Sequence, residues 1–592
     1  MRILFLHPED SLHSEPWATL SWDRIIDLGR SGQMSYESAS TYYRCDVTPI
    51  DALRAEFDEI RKVGELLKAG FDVLKDKFGL DWWELTSILV HSAIEKLVLL
   101  RKVAESLEPQ DEVFVSRPGF YVTALNSFLG SSVRPFPSNH DSASRGLDHY
   151  VRVAKKFPAS QLLEIFWDKT DPGYQLRGRF SRQVKPSARP VILAPTAYGN
   201  ASRTAIAYAG SVPELDFLLV STRRSGWISS TPSNVATNSL RSYASVGDRS
   251  RRVELEHLSQ RWNALRVELN GLPEFKMLEA IGGFDEFPRR LAQGLEIRDA
   301  WCNVLDREPV SGVLCADDSN PYTHIPLLLA KERGLPTVAC HHGALDGRYM
   351  FKRAHADVIL AKGRMEQDYL VRVCGVPGDK VEIGAPAVLE RKEVPAAHAS
   401  RKSIVFFSEA YEISGGGRAK EFYRDVLPPL ADLAMRESCQ LVVKLHPAES
   451  LAERQGFVFD TLSPAQRDVV RVVAGPLGEL LNETWFGVTI LSTVAVECAT
   501  QAIPCFLCSW LEFWPYGYID QFTRFGVGIK LDRPTDLLEI PKLLASYKPD
   551  PVVVRNCSTP IESARFAAII RMWLASDIDT VVTKSNRRQL IP

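Results

Sequence analysis

Short runs of apolar residues recur along the chain, separated by longer stretches with helical periodicity such as "IPLLLAKERG", which ends at a glycine. Most of the short runs are continuously apolar rather than alternating. This pattern is typical of strands in a parallel sheet that is covered by helices on both faces. The first set of predicted strands lies at residues 2–6, 112–116, 190–195, 216–222, 311–316, 336–340 and 356–361.

A second set of apolar runs follows the segment 391–403, which is rich in small and polar residues and has the composition of a linker. The two sets predict an α/β protein with two Rossmann-like domains, residues 1–395 and 396–592. A final helix is expected at about 559–576. The strands of the second set are expected at 404–408, 441–445, 469–474, 488–492, 503–507 and 526–531.

Two regions of the first predicted domain have the pattern of helical insertions. Residues 50–110 contain long amphipathic stretches around Trp82 and Trp83, and residues 223–300 are helix-rich and charged. Such insertions either shape an acceptor site or enlarge the core. The pattern favours packing and leaves the acceptor site open as the alternative.

Composition narrows the class of protein. With 592 residues, 45% apolar residues and a formal net charge of −2, the chain has ample core and no overall field that would attract nucleic acid. Its 10 cysteines are scattered, many of them in apolar runs, as expected in a reducing compartment. The N-terminal "MRILFLHPED" has the pattern of a strand rather than a signal peptide, and no window is apolar enough to span a membrane. These features predict a cytoplasmic protein.

Polar residues that follow strands are the candidates for chemistry, because ligands bind at the carboxyl ends of the strands in doubly wound sheets. In the second domain, His446 follows "LVVKL" and precedes a proline that fixes the turn. An imidazole there can bond to a phosphate oxygen, and Lys444 adds a second cation. A turn without function is an equally good interpretation of His-Pro alone.

Two further segments of the second domain could bind a phosphate. Ser492 and Thr493 end a strand and open a helix, and Glu497 lies one turn later, where it could accept bonds from a ribose. Simple N-capping is the alternative. The run Gly415, Gly416 and Gly417 would let backbone N–H groups approach a pyrophosphate, or is only a surface loop.

In the first domain, acidic and imidazole side chains follow successive strands. Asp317 and Asp318 come after "VLCA", and His341 and His342 come after "TVAC", so they should converge on one edge of the sheet. A carboxylate or imidazole in this position could take a proton from an attacking hydroxyl, and His342 is the preferred base. Two Asp and two His could also bind a metal, but a mechanism without metal is favoured.

These motifs together resemble those of the GT-B glycosyltransferases. More narrowly, the chain is similar to bacterial capsule Kdo transferases and sialyltransferases and to the CDP-glycerol glycerophosphotransferases, chiefly over residues 311–531. The resemblance implies that His446 contacts the nucleotide, that Ser492 and Thr493 bind the donor phosphate, and that Glu497 binds the ribose.

The resemblance also implies roles in the first domain. His342-Gly343 is similar to the His-Gly of the glycerophosphotransferases, in which the histidine is a proposed base. Asp317-Asp318 is similar to the acidic-acidic-Gly motif of the sialyltransferases, although Ser319 replaces the glycine and puts the catalytic Asp in doubt.

The function implied is metal-independent, inverting transfer of a sugar from a nucleotide-activated donor, such as a CMP-linked one, to a hydroxyl of a glycan or glycolipid. No cofactor is expected, and peripheral contact with the inner face of a membrane is compatible with this function. Three alternatives stay open. A CDP-polyol phosphotransferase would need a basic, aromatic surface for its polymer. An isomerase like the UDP-GlcNAc 2-epimerases would need no acceptor site, and a non-catalytic protein would bind nucleotide without turnover.

Overall fold

Three parallel β-sheets, each flanked by helices, form the framework of the computed structural model. Sheets of this kind are expected wherever continuously apolar strands alternate with amphipathic helices. The structure describes residues 1–7, 10, 12, 16–28, 43–50, 53, 59–68, 72–87, 90–130, 133–136, 189–228, 230–244, 249–280, 282–386, 403–411, 419–447, 449–512 and 516–569.

The N-terminal sheet has five strands in the order β3-β2-β1-β4-β5, all parallel. The sequence placed the two predicted strands of this region in the first Rossmann-like domain, but they form a sheet of their own. Apolar runs show that a strand is buried and do not show which sheet it joins. The strands are β1 Arg2–Leu6, β2 Arg24–Asp27, β3 Asp46–Pro49, β4 Glu112–Val115 and β5 Arg134–Pro135.

The middle sheet has seven parallel strands in the order β12-β11-β10-β9-β6-β7-β8. The five strands predicted here are present, and the two additional strands, β8 and β12, lie at the edges. The strands are β6 Val191–Thr196, β7 Asp216–Ser221, β8 Val235–Ser239, β9 Val310–Cys315, β10 Thr337–Cys340, β11 Val358–Ala361 and β12 Val381–Ile383.

The C-terminal sheet has six parallel strands in the order β15-β14-β13-β16-β17-β18, the strand order of Rossmann dinucleotide-binding folds. The predicted α/β class with two Rossmann-like domains is therefore confirmed, and the N-terminal sheet is an addition to it. The linker predicted at 391–403 falls almost wholly outside the described residues. The strands are β13 Ser403–Phe407, β14 Gln440–Lys444, β15 Val470–Val473, β16 Thr484–Thr489, β17 Cys505–Cys508 and β18 Ile529–Leu531.

Helices cover these sheets, and helices also occur in the described parts of both regions predicted as helical insertions. No helix in the described ranges combines the length and the apolarity needed to cross a membrane. The α-helices are Glu59–Lys68, Trp82–Ser87, His91–Glu105, Phe120–Leu129, Gly199–Ser211, Arg249–Leu269, Pro273–Ala280, Phe287–Arg307, Pro321–Glu332, Arg364–Asp368, Ala419–Arg436, Leu451–Asp460, Pro464–Arg467, Gly478–Glu483, Val494–Thr500, Tyr518–Arg524, Ile540–Ser546 and Pro551–Cys557.

A buried ion cluster joins the two helical insertions. The Arg298 guanidinium contacts the carboxylates of Asp76 and Glu254, each at 2.7 Å, and the side chains of Arg298 and Asp76 are fully buried. Asp76 also accepts a bond from the indole N–H of Trp82 at 3.2 Å. The cluster therefore fixes the position of Trp82 next to the helix Phe287–Arg307.

Two C-terminal segments pack back onto the middle sheet and its loops. The helix predicted over about 559–576 begins at residue 563, and its Phe566 ring stacks on Tyr208 at 6.0 Å. Tyr518 accepts a hydrogen bond from the backbone N–H of Gly347 at 2.7 Å. These contacts hold the middle and C-terminal sheets beside each other.

Candidate functional site

The middle sheet has its topological switch point between β6 and β9, where the connecting helices pass to opposite faces and leave a crevice. Tyr198 follows β6, Asp317 follows β9, and His342 follows the neighbouring β10. The three side chains meet at the carboxyl edge of the sheet. The predicted convergence of the first-domain candidates is therefore present for Asp317, His341 and His342, and Tyr198 joins them.

Tyr198 lies between the carboxylate and the imidazole. Its hydroxyl donates a hydrogen bond to Oδ2 of Asp317 and lies 3.1 Å from Nδ1 of His342. Because the phenol has one proton, its oxygen can only accept from His342, which places the imidazole proton on Nδ1. The Nε2 lone pair of His342 is then free of this network and can take a proton from a substrate.

The electrostatics keep the phenol protonated and the imidazole neutral. Burial, together with the Asp317 carboxylate, raises the pKa of Tyr198. Burial lowers the pKa of His342, and the Asp317 carboxylate opposes this effect only in part. A neutral imidazole at neutral pH is the form that a general base requires.

Two basic side chains hold the loops around this cluster. The Nε of Arg348 donates to Asp346 at 2.9 Å, and its guanidinium lies 3.7 Å from Oδ1 of Asp317. The Lys362 ammonium donates to the carbonyls of His341 and Gly343, the latter at 2.7 Å. The His-His-Gly turn is thus fixed through its backbone.

The same edge contains a potential metal-ligand set. Ligand atoms of Asp317, His341 and His342 all lie within 4.8 Å of one another. The buried ring nitrogens of His341 have no hydrogen-bond partner among the described residues, which is compatible with ligation. However, Asp317 already accepts a hydrogen bond from Tyr198 and lies beside Arg348, so its negative charge is partly compensated. The three ligand atoms are enough to hold a divalent cation, but the neighbouring positive charges of Arg348 and Lys362 oppose its binding.

The structure separates Asp318 from this cluster. Its carboxylate accepts a bond from the Lys352 ammonium at 2.6 Å inside the protein. Although burial acts to raise it, the Lys352 charge lowers the pKa of Asp318. Asp318 lines a small cavity with His324 and Lys352, whereas Asp317 lines a different and larger one. Asp318 therefore belongs to a buried ion pair.

In the C-terminal sheet, His446 follows β14 at the carboxyl edge, as predicted. Its backbone N–H donates to the carboxylate of Glu449 at 2.9 Å, and Glu449 is also paired with Arg454 at 3.0 Å. Burial lowers the pKa of His446, and the Lys444 ammonium and the His342 imidazole lower it further. The Lys444 ammonium donates to the carbonyl of Leu445 at 2.6 Å, so it is engaged within its own turn.

The neighbouring candidates follow β16 on the other side of the switch point between β13 and β16. The Ser492 hydroxyl accepts a bond from the N–H of Val494 at 3.3 Å, and Thr493 and Glu497 are exposed. Glu409, which sequence reasoning missed, accepts a bond from the N–H of Leu491 at 2.9 Å, and burial raises its pKa to about 7. The glycines at 415–417 lie outside the described residues.

The two carboxyl edges face each other across a narrow gap. A Cβ atom added to Gly343 would lie 3.4 Å from Cγ2 of Thr493. His342 is the residue before Gly343 in this turn, and it contributes to the lowered pKa of His446. A molecule bound between His446 and His342 would therefore touch both halves of the protein.

Part of the chain matches a known protein family. Residues 325–509 match the model of a family described as "Putative glycosyltransferase (DUF6716)". This match confirms the predicted enzyme class, a glycosyltransferase, at the level of the family description. The matched range contains His342, His446, Ser492, Thr493 and Glu497. A search of curated proteins finds no match.

Several solved structures are similar to the chain at low identity. The wall teichoic acid polymerase TagF is 11% identical, with 74% of this chain and 100% of that chain covered and a TM-score of 0.38. MurG of Acinetobacter baumannii is 12% identical, with 65% and 99% covered and a TM-score of 0.37. The UDP-GlcNAc 2-epimerase of Methanocaldococcus jannaschii, in complex with UDP-GlcNAc and UDP, is 12% identical, with 65% and 99% covered and a TM-score of 0.40.

Proposed function

We propose that the protein transfers a sugar from a nucleotide-activated donor to a hydroxyl of an acceptor, with inversion at the sugar carbon and without a metal. One observation carries the proposal. A neutral His342, hydrogen-bonded to Tyr198 and through it to Asp317, faces the edge that contains His446 and Thr493. A base and an anion-binding edge on opposite sides of one gap suit a displacement reaction.

In the proposed reaction, His342 accepts the proton of the acceptor hydroxyl at Nε2 while the acceptor oxygen forms a bond to the anomeric carbon. The bond from that carbon to the phosphate oxygen breaks, and the leaving nucleotide keeps the electron pair. Attack opposite the leaving group inverts the carbon. As the imidazolium forms, Nδ1–H strengthens its bond to the Tyr198 oxygen, and Asp317 balances the new charge through the phenol.

The C-terminal edge would stabilise the leaving phosphate. The backbone of His446 and the Ser492 hydroxyl are held by partly buried hydrogen bonds, so little reorganisation is needed when negative charge develops. Glu497 would bind the ribose. We expect no requirement for a metal, because Arg348 and Lys362 already supply positive charge beside Asp317 and the His-His-Gly turn.

Calorimetric titration of the full chain with CMP, CDP, UDP and GDP in the presence of EDTA tests the donor site. We expect one nucleotide to bind, and the His446→Ala variant to bind it about ten-fold or more weakly, the loss typical of one hydrogen bond to a charged group. The exposed His257, on the helix Arg249–Leu269, gives a matched control, and His257→Ala should bind like the wild type. Failure of every nucleotide to bind would refute the proposal, and binding that appears only with added metal would refute its metal independence.

Kinetic measurements with a sugar donor that carries the nucleotide found by this titration test whether His342 is the base. The His342→Ala variant should keep nucleotide affinity and lose roughly 10²–10⁴-fold in kcat, the usual contribution of a general base. A His342→Ala enzyme with unchanged kcat would remove His342 from the reaction. Nucleotide binding without any turnover in the wild type would instead support a non-catalytic binding protein.

A further inference from the structure

A cavity of about 390 Å³ lies beside Asp317, and all of its lining residues come from the range 82–348. Its volume falls in the range of small-molecule sites, roughly 300–1,000 Å³. The cavity lies between the switch point of the middle sheet and the helices Trp82–Ser87 and Phe287–Arg307. Tyr198 and Asp317 belong both to its lining and to the proposed catalytic cluster, so a molecule in the cavity would lie against two of the residues that surround His342.

The lining is cationic, although the chain as a whole has a net charge of −2. Three arginines line the cavity, and Asp317 is the one acidic residue among the described lining residues. Arg348 is engaged by Asp346 and Asp317. Arg223 and Arg290 are exposed and have no ion-pair partner among the described residues. The cavity therefore offers two uncompensated guanidinium groups.

A ring contact restrains Arg223, and a closely packed helix places Arg290 at the cavity. The Arg223 guanidinium lies over the ring of Tyr322, 5.1 Å from its centroid, an arrangement that restrains its orientation. Arg290 lies on the helix whose Gly294 packs so closely on Trp82 that an added Cβ would lie 2.3 Å from the indole ring. Arginines whose only role is to keep a surface soluble are not expected to line a cavity with aromatic walls.

We propose that the acceptor carries an anionic group, a carboxylate or a phosphate, which Arg223 and Arg290 bind while the reacting hydroxyl lies at His342. The inference rests on the proposed transferase function and adds the chemical class of the acceptor. Guanidinium groups bind carboxylate and phosphate oxygens through paired, charge-assisted hydrogen bonds. The amides of Gln293 and Asn320 and the rings of Tyr322 and Trp82 complete a lining suited to a sugar.

Glucuronic acid, glucose 1-phosphate and glucose, titrated separately into the full chain by calorimetry, test the inference. We expect at least one charged probe to bind about ten-fold or more tightly than glucose, as one charged hydrogen bond would give. The preference between the two charged probes distinguishes a carboxylate from a phosphate. Equal affinity for all three probes, or binding of none, would overturn the inference.

Arginine variants locate the binding. Arg223→Gln and Arg290→Gln should each weaken the charged probe about ten-fold and leave glucose unchanged. Arg289, adjacent on the same helix, is exposed and paired with Glu286, so Arg289→Gln is the matched control. Loss of the charged probe in Arg289→Gln to the same extent would indicate general charge attraction and overturn the inference. So would binding that depends on His446 and not on Arg223, because it would place the probe at the donor edge.

Nucleotide titration of the same variants separates the two proposals. Nucleotide binding that persists in Arg223→Gln and Arg290→Gln, without any selectivity for charged probes, would overturn the anionic acceptor and leave the transferase standing. Selective binding of a charged probe by a chain that binds no nucleotide would refute the transferase function instead. The anionic acceptor, which rests on that function, would then fall with it.

Discussion

Gly343 is the position where a single methyl group would most directly perturb the proposed reaction. A Cβ atom there would lie 2.9 Å from Cε1 of His341, closer than real Cβ atoms approach, and 3.4 Å from Cγ2 of Thr493. The His341 ring is buried and cannot swing into solvent. The strain of Gly343→Ala must therefore be relieved by movement of the turn, which also contains His342.

The expected cost follows from the size of this overlap. Inserting a methyl group into a well-packed site typically costs about 1–3 kcal/mol. If relief of the strain moves His342 away from Tyr198, the cost appears in the transition state, and kcat/KM should fall about 5- to 150-fold. Nucleotide affinity should change much less, since His446 is held by its own contacts with Glu449.

Steady-state kinetics and calorimetry on one preparation measure both quantities. Gly210→Ala is the matched control, because no heavy atom lies within 4 Å of a Cβ built at this exposed helical position. It should keep full activity. A Gly343→Ala enzyme with the kcat/KM of the control would refute the reasoning, as it would show that the turn can shift without moving the base.

Two further predictions concern the charges. Arg298→Met should lower the free energy of unfolding, measured by urea denaturation, by about 3–5 kcal/mol, because it leaves the buried Asp76 without its cation. The control substitution Arg289→Gln, at an exposed position, should change this free energy by at most about 0.5 kcal/mol. Equal effects of the two substitutions would contradict the role of the buried cluster. Asp317→Asn should move the acidic limb of the pH profile of kcat/KM to lower pH. This limb reports the protonation of His342, because only the neutral imidazole accepts a proton. Burial lowers the pKa of His342 and the Asp317 carboxylate raises it, so removing that carboxylate should lower the pKa further. A limb that stays in place or moves to higher pH would argue against His342 as the base.

The strands and the positions of the main candidates could be predicted because both depend on local pattern. Continuous apolar runs located all thirteen predicted strands, and the carboxyl ends of these runs led directly to His342 and His446. The strands that were missed are mostly edge strands, such as Val235–Ser239 and Val381–Ile383, which are partly exposed and so lack a continuous apolar run.

The partners of these candidates could not be predicted, because they come from distant parts of the chain. Tyr198 is separated from Asp317 by 119 positions, and nothing in "APTAYGN" sets it apart from a packing residue. The roles of Asp317 and Asp318 differ because successive residues at a strand end point to different surroundings, and a buried Lys352 meets only one of them. Glu449 had a local signal, since it closes the turn "HPAE" on the backbone of His446.

The proposed donor edge and the cationic cavity come from different segments of the chain, which bears on how the protein could select its acceptor. The family match over residues 325–509 covers His342 and the whole proposed donor edge, whereas Arg223, Arg290 and Trp82 lie outside it. The proposed base and the leaving-group contacts thus lie within the matched range, whereas the helical insertions supply Arg223, Arg290 and Trp82 to a cavity that loops of the middle sheet complete. The sequence alone left open whether those insertions serve packing or an acceptor site. The helix Phe287–Arg307 does both, because its Arg298 pairs with Asp76 of the other insertion and its Arg290 lines the cavity beside Trp82. The proposed acceptor contacts could therefore change in the insertions without altering the residues of the proposed donor edge.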